Sequence, residues 1–321
     1  MPARPEELDV DDVLVMCVRA AMRLPPRLRP GSRVALVAPS GPLRDGTDLE
    51  RAIANTHALG WEPVVGAHVL ERDGYLAGTD EARRADLNRF VADDSIDAIW
   101  CIRGGYGAMR LLNGLDYAAW RDHPKTLIGY SDVTALHAAI GPRADLVTFH
   151  GQTARAELTE FTRASLVAAV TEVGDGGAGP MTAPDASVLR AGCARGTLAG
   201  GNLAVLSALM GTAFAPPLDD AILVLEDVNE SVYRLDRMFT QLRLSGALDR
   251  VAAIAFGHFT DIPEDQHGED CTLDDLLREI ADRCGVPCVA RIPVGHIPDQ
   301  WTIPFGRSAV LDADARTLII D

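Results

Sequence analysis

One serine in the chain occupies a position where a strand is expected to give way to a helix. Ser131 lies in Ile-Gly-Tyr-Ser-Asp-Val at residues 128–133. A hydroxyl there would sit at the carboxyl edge of a parallel sheet, where α/β proteins bind ligands, beside helix N–H groups suited to an oxyanion. The segment is similar to the nucleophile elbow G-x-S-x-G, but Val133 replaces the second glycine. The alternative is that Ser131 only caps the helix.

A glycine-rich segment, Arg-Gly-Gly-Tyr-Gly at residues 103–107, follows the apolar run at residues 98–102. Closely spaced glycines let backbone N–H groups face a ligand, as in an oxyanion hole or a phosphate-binding loop. Neither G-x-G-x-x-G nor G-x-x-x-x-G-K-[ST] is matched, which argues against a nucleotide site. An ordinary glycine turn is the third interpretation.

A pair of carboxylates, Glu226 and Asp227, ends the apolar run at residues 221–225. A carboxylate at the end of such a strand is partly desolvated and needs a partner. Arg234 and Arg237 are near in sequence and would form a structural ion pair. The other possible partner is a histidine that a catalytic site must orient.

Three of the eight histidines are candidates for a general base. His296 follows Pro-Val-Gly at residues 293–295 and ends an apolar run. His258 follows another apolar strand and is the strongest rival, and His150 ends a strand-like run that could line the site. A serine, a histidine and a carboxylate that meet can carry out nucleophilic catalysis.

The elements that must position these residues follow an α/β pattern. Apolar runs predict strands at 33–39, 61–65, 98–102 and 126–130, and amphipathic segments predict helices at 47–59, 79–93, 106–112 and 132–140. Strands that alternate with helices at this spacing predict a parallel sheet with helices on both faces. The pattern changes near residue 155, and residues 173–195 are rich in Gly, Ala and Pro. Beyond that stretch the predicted strands become shorter.

Four segments are predicted on this basis. They are an N-terminal extension at 1–28, an α/β domain with the serine at 29–160, a linker at 161–192, and a smaller β-rich α/β domain with Glu226 and His296 at 193–321. A chain of 321 residues is long enough for two domains with sizeable cores.

Composition and charge exclude several functions. The net charge of -16 disfavours binding to nucleic acid or to an anionic membrane surface. An H-E-x-x-H motif is absent and the six cysteines are scattered, so we expect neither a metal nor another cofactor. The sequence has no apolar run of about 18 residues. Its N-terminus, Met-Pro-Ala-Arg-Pro-Glu-Glu, is acidic where an export signal would be basic, which predicts a cytoplasmic protein.

Several segments taken together resemble the LD-carboxypeptidases, a serine peptidase family that includes the microcin C immunity peptidases. They are VALVAPSGP, RGGYGAMRLL, TLIGYSDVTALH, VTFHG, RGTLAGGNLAVLSALMGT, ILVLEDVNESVYRLDRMFTQLRLSGAL and PVGHIPDQWTIPFG, in the same order as in the family. The resemblance begins near residue 31 and extends to the C-terminus. Departures are Gln152, where relatives often have proline, and the N-terminal extension.

The resemblance implies a Ser-Glu-His triad of Ser131, Glu226 and His296. The oxyanion hole would come from backbone N–H groups of Gly104, Gly105 and Asp132. The resemblance also implies a flavodoxin-like N-terminal domain, an active site between two domains, and a homodimer.

The implied reaction is hydrolysis of the bond to the terminal D-Ala of murein tetrapeptides in cell-wall recycling. Recognition of a free carboxylate favours arginine. The substrate-binding candidates are Arg103, Tyr106, Arg234 and Arg237. One alternative is an immunity-type peptidase that cleaves an aminoacyl nucleotide, with Trp301 as a platform for the base. The other is a non-enzymatic, two-lobed binding protein.

Overall fold

A computed structural model describes residues 22–171, 179–263 and 271–321. Its strands are β1 Arg33–Val37, β2 Glu62–Val65, β3 Ala98–Cys101, β4 Thr126–Gly129, β5 Thr148–His150, β6 Met181–Thr182, β7 Ser187–Arg190, β8 Cys193–Asn202, β9 Ala221–Val228, β10 Ala253–Thr260, β11 Cys288–Ala290, β12 Ile303–Phe305, β13 Ser308–Asp312 and β14 Thr317–Ile320. Its α-helices are α1 Gly46–Ala58, α2 Asp80–Ala92, α3 Tyr117–Asp122, α4 Thr134–Ala144, α5 Glu160–Val170, α6 Leu203–Leu209, α7 Val232–Leu244 and α8 Leu273–Cys284. Two 3₁₀ helices span Ala108–Gly114 and Ser131–Val133.

The first sheet has the strand order β12-β5-β4-β3-β1-β2. Strands β1 to β5 are parallel and run in the order 2-1-3-4-5, which is the flavodoxin-like arrangement that the family resemblance implied. Helices α2, α3 and α4 pack on one face, with Phe90 and Trp120 completely buried between them. Helices α1 and α5 cover the other face, where Trp100 is also completely buried. The two-sided burial explains why β1, β3 and β4 read as uninterrupted apolar runs, whereas β2 at the edge of the sheet is partly exposed.

The second sheet is larger and mixed, in the order β6-β14-β13-β8-β9-β10-β11-β7. Strands β8 to β11 pair in parallel, and antiparallel strands complete both edges. This sheet confirms the predicted β-rich second domain with α/β character. Apolar side chains from α6, α7 and α8 cover one of its faces.

Local sequence signals account for where several helices begin. Thr79 accepts a hydrogen bond from the N–H of Ala82 at the start of α2, as its position before an acidic first turn predicts. Helix α8 begins with a reciprocal capping box between Thr272 and Asp275. These caps satisfy backbone donors that have no partner within the helix.

Two segments differ from the predicted division of the chain. The first part of the predicted 161–192 linker is helix α5, whose Leu166 and Val170 are buried against the first sheet. Leu28, assigned to the extension, is 1% exposed and its N–H donates to Val170 O. The stretch rich in Gly, Ala and Pro begins only at residue 173, beyond the end of α5. Most of the predicted extension, residues 1–21, lies outside the described residues.

The C-terminal part of the chain also contributes to the first sheet. Strand β12 pairs antiparallel with β5, with Ile303 opposite His150. Sequence order therefore does not separate the two sheets completely. In the ranges that the structure covers, there is no helix long and apolar enough to cross a membrane.

Two buried histidines predict that the protein becomes less stable as the pH falls. Burial lowers the pKa of His137 from 6.5 to about 4, and burial also lowers the pKa of His150. Between pH 6.5 and 4, His137 binds a proton in the unfolded chain but stays neutral in the folded protein. The free energy of unfolding should therefore decrease by up to about 1.4 kcal/mol per pH unit for this residue.

Urea denaturation between pH 7 and pH 4.5 measures this effect. His137→Gln keeps a side-chain donor for Gly129 O, which His137 Nε2 contacts at 2.8 Å, and should reduce the slope. His57→Gln is the control, because His57 is exposed at the end of α1. An unchanged slope in His137→Gln would contradict the prediction.

Candidate active site

Ser131 lies at a sharp turn between β4 and α4. Its φ of 64° is in the left-handed region, which costs a non-glycine residue about 1 kcal/mol or more. Neither helix that begins here uses a side-chain cap, so the capping alternative for Ser131 is wrong. The turn instead directs the Ser131 hydroxyl away from its own helix and towards His296.

The missing second glycine of the elbow motif has a structural explanation. Val133 is completely buried, and a methyl group on Gly129 would lie 3.0 Å from both of its γ carbons. The space that a glycine at position 133 would normally provide is therefore supplied by Gly129. A single glycine is sufficient for this turn.

Glu226 is brought to the serine by the end of the second sheet. In the parallel pair β8–β9, Glu226 is in register with Asn202, whose N–H donates to Thr134 Oγ1 in the first turn of α4 at 2.9 Å. A methyl group on Gly201 would lie 2.4 Å from the same oxygen, so glycine permits the close approach of β8 to α4. This contact holds the Glu226 carboxylate beside the elbow.

His296 follows a glycine that allows the chain to pass close to Glu226. Gly295 has a φ of 121°, and a Cβ there would lie 3.1 Å from Glu226 Cβ and 2.9 Å from His258 O. The N–H of His258 donates to Val294 O at 2.8 Å, which ties the loop to β10. The loop thus presents the His296 ring between the two sheets.

The three side chains form one hydrogen-bonded relay. His296 Nδ1 is 2.8 Å from Glu226 Oε2, and His296 Nε2 is 3.1 Å from Ser131 Oγ. Glu226 is completely buried, and its other carboxylate oxygen has no partner within the described residues. A carboxylate facing Nδ1 favours the tautomer with a proton on that nitrogen, which leaves Nε2 to accept the serine proton.

The rival histidines lie elsewhere. The described contacts of His258 connect its backbone to the His296 loop, and none joins its ring to Ser131. His150 is completely buried behind Tyr130, with 6.0 Å between the ring centroids. Tyr130 also packs on His296, with 4.8 Å between the ring centroids. The Tyr130 ring therefore contacts both histidines, and His150 lies on its far side from the relay.

The neighbouring carboxylate Asp227 has a different role. It accepts hydrogen bonds from Asn202 Nδ2 at 2.9 Å and from the N–H groups of Ala204 and Val228, both at 2.8 Å. Burial first, and then the charge of Glu226, raise the pKa of Asp227 to about 6. Asp227 therefore braces the start of α6 and the end of β9.

The glycine-rich loop lies directly against the serine. A Cβ on Gly104 would be 3.0 Å from Ser131 Cβ and 3.2 Å from its Oγ, and Gly105 has a φ of 118°. Neither the N–H of Gly104 nor that of Gly105 donates to another described residue. The Asp132 carboxylate accepts the N–H of Ala108 at 2.8 Å and so ties the loop to the elbow. Two unused N–H groups beside a serine hydroxyl suit an oxyanion hole.

The substrate-binding candidates fall into two groups. Arg103 is half-buried beside the glycine loop, where its Nη1 donates to Pro42 O, and Tyr106 is exposed against Tyr75 at 5.6 Å. Arg234 and Arg237 are exposed on α7 and lie over the ring of Tyr233. Their described contacts do not reach the relay, whereas Arg103 and Tyr106 flank Gly104 and Gly105, and Gly104 lies against Ser131.

Two further expectations concern ligands. The described ranges contain no group of three or more His, Cys, Asp or Glu side chains that could hold a metal ion. Trp301 is 4% exposed and packs within the core of the second sheet. Little of its ring is therefore accessible to a nucleobase.

A flavodoxin-like sheet whose elbow serine meets a histidine and a buried carboxylate is typical of a serine hydrolase. Residues 34–151 match the LD-carboxypeptidase N-terminal domain, and residues 195–311 match the LD-carboxypeptidase C-terminal domain. The chain therefore belongs to the LD-carboxypeptidase family of serine peptidases.

Individual relatives align over nearly the whole chain. A putative carboxypeptidase of Streptomyces coelicolor is 42% identical over 92% of this chain and 96% of the relative. The murein tetrapeptide carboxypeptidase of Pseudomonas aeruginosa is 35% identical over 88% of this chain and 94% of the relative. The solved structure of the microcin C7 self-immunity protein MccF with aspartyl sulfamoyl adenosine has a TM-score of 0.84 and 26% identity, covering 93% of this chain and 98% of that one.

Sequence reasoning missed some of the residues that surround the relay. The packing of Tyr130 on His296 was not foreseen, although tyrosine stands directly before the serine. The contact between Arg155 and Asp48 was also missed, because these residues are 107 positions apart. No local pattern marks a contact over that distance.

Proposed function

We propose that this protein is a serine-type LD-carboxypeptidase that releases the terminal D-Ala of murein tetrapeptides during cell-wall recycling. The observation that carries the proposal is the relay of Ser131, His296 and Glu226, with hydrogen-bond distances of 3.1 and 2.8 Å. The similarity to a murein tetrapeptide carboxypeptidase supports the substrate class. A non-enzymatic binding protein would have no need for such a relay.

The proposed mechanism begins with attack by Ser131 Oγ on the carbonyl carbon of the scissile amide. His296 Nε2 takes the hydroxyl proton and later gives it to the leaving amine of D-Ala. Glu226 holds the ring and stabilises its imidazolium form. The N–H groups of Gly104 and Gly105, with that of Asp132 at the start of the helix, would bind the oxyanion. A water molecule activated by His296 then hydrolyses the acyl-enzyme.

The second candidate function is that of an immunity-type peptidase that cleaves an aminoacyl nucleotide. The structural similarity to MccF favours it. Since Trp301 is buried, a base would have to stack on another ring, and the exposed pair of Tyr75 and Tyr106 beside the glycine loop is available.

A comparison of the two substrates in one preparation distinguishes these functions. We expect kcat/KM for L-Ala-γ-D-Glu-meso-diaminopimelate-D-Ala to exceed that for aspartyl sulfamoyl adenosine by at least about 100-fold, because differential transition-state binding sets specificity. Mass spectrometry of released D-Ala and released nucleoside gives both rates. A reversed preference would favour the immunity-type function.

The cellular setting is part of the same proposal. We infer that the enzyme acts in the cytoplasm, as a homodimer, on a small peptide and without a metal or other cofactor. Cell fractionation with an antibody and light scattering of the purified protein examine the first two points. Recovery in the exported fraction, or a monomer at working concentrations, would contradict them.

A further inference from the structure

Four arginines from separate parts of the chain converge on the loop that follows β1. Arg103 Nη1 donates to Pro42 O, and Arg72 Nη2 donates to Leu43 O at 3.3 Å. Arg44 belongs to the same loop, and Arg155 Nη1 lies 3.2 Å from both oxygens of Asp48 in the first turn of α1. We call Arg44, Arg72, Arg103 and Arg155 the arginine cluster.

The arginine cluster has few close carboxylate partners. Within the described residues, Asp48 is the only carboxylate that lies within 4.0 Å of any of the four guanidinium groups. Burial first, and then the charges of Arg155 and Arg44, lower the pKa of Arg103. Such a concentration of positive charge is unusual in a protein with a net charge of -16. Mutual repulsion of this kind is relieved when an anion binds.

The loop that holds the cluster is joined to the segment beside the nucleophile. The N–H of Gly41 donates to Gly104 O at 3.1 Å, and Gly104 contacts the Ser131 side chain. A Cβ on Gly41 would lie 3.6 Å from Arg103 Cζ and 3.6 Å from Gly105 Cα, so the guanidinium group of Arg103 and the glycine-rich segment both pack against Gly41. Burial raises the pKa of Tyr130, which packs on His296, and the positive charge of nearby Arg155 offsets part of that rise.

From this geometry we propose that the arginine cluster binds the carboxylates of an acidic peptide substrate, with Arg103 nearest the scissile bond. This inference rests on the proposed carboxypeptidase function and names the residues that select its substrate. A guanidinium group pairs with both oxygens of a carboxylate, and a murein tetrapeptide carries more than one carboxylate. The cluster also attracts an anionic substrate locally, although the overall negative charge of the protein repels it.

Measurements of peptide binding to a catalytically inactive variant test the inference without relying on turnover. In Ser131→Ala protein, calorimetric titration compares the murein tetrapeptide with its C-terminal amide. We expect the acid to bind better than the amide, and Arg103→Gln to weaken binding of the acid by roughly 10- to 100-fold while changing binding of the amide much less. Arg103→Lys should retain part of the preference, because it keeps the charge but loses the planar fork.

Arg283→Gln is the matched control, because Arg283 is exposed on α8 and pairs with Glu279. Thermal unfolding of each variant verifies that it is folded. If the Ser131→Ala protein shows the same preference for acid over amide with and without Arg103→Gln, the inference is overturned.

The failure of the proposed function would give a different result. If the parent bound neither peptide, the carboxypeptidase proposal would fail, and citrate would then probe the cluster alone. If Arg103→Gln weakens citrate binding and Arg283→Gln leaves it unchanged, the cluster is supported as an anion site. No citrate binding, or equal binding by all three proteins, would refute it.

Discussion

Ser131→Ala should abolish release of D-Ala from the murein tetrapeptide while the protein remains folded. Removal of the hydroxyl eliminates the acyl-enzyme route, and loss of such a nucleophile lowers kcat by about 10⁵- to 10⁶-fold. The measurement is kcat by coupled detection of D-Ala. Stability should change by less than about 1 kcal/mol, because alanine and serine incur a similar cost at a φ of 64°.

The control for this experiment is Ser95→Ala. Ser95 is exposed, and its hydroxyl bonds to Asp93, outside the relay. We expect its activity to match that of the unmodified enzyme. Release of D-Ala at the unmodified rate by Ser131→Ala would end the serine-peptidase mechanism, provided that circular dichroism shows both variants to be folded.

Glu226→Gln should lower kcat by about 10³- to 10⁴-fold with a small effect on KM. The glutamine amide has nearly the same shape as the carboxylate, but it is neutral and can donate to His296 Nδ1. A ring that accepts at Nδ1 carries its proton on Nε2, so it can no longer take the proton of Ser131. Loss of the buried charge also removes the stabilisation of the imidazolium that forms during attack.

Asp227→Asn is the comparison that separates catalysis from folding. Asp227 accepts three hydrogen bonds from Asn202, Ala204 and Val228, and an amide cannot accept all of them. We expect this variant to lose about 1–3 kcal/mol of stability and to keep more activity than Glu226→Gln. The opposite pattern, with Asp227→Asn the less active and Glu226→Gln the less stable, would exchange the roles of the two carboxylates.

The sequence by itself predicted the features that short segments encode. Buried strands of a doubly covered sheet appear as apolar runs, so β1, β3 and β4 were located to within a few residues, as was the edge strand β2. Helices α1 and α2 were also located, whereas α3, between β3 and β4, was not predicted. The turn at Ser131 follows from an apolar strand that meets a helical segment after Gly129. The resemblance to the LD-carboxypeptidases supplied the pairing of Ser131 with Glu226 and His296, which residue chemistry alone had left open among three histidines.

Only the tertiary structure decided how distant groups are brought together. Ser131 and His296 are 165 residues apart, and their contact depends on β8 packing against α4 through Gly201 and on the bend at Gly295. The same is true of the pairing of β12 with β5 and of the arginine cluster. Periodicity and local propensity extend over a few turns of chain, whereas these contacts arise from the packing of one sheet against the elements of the other.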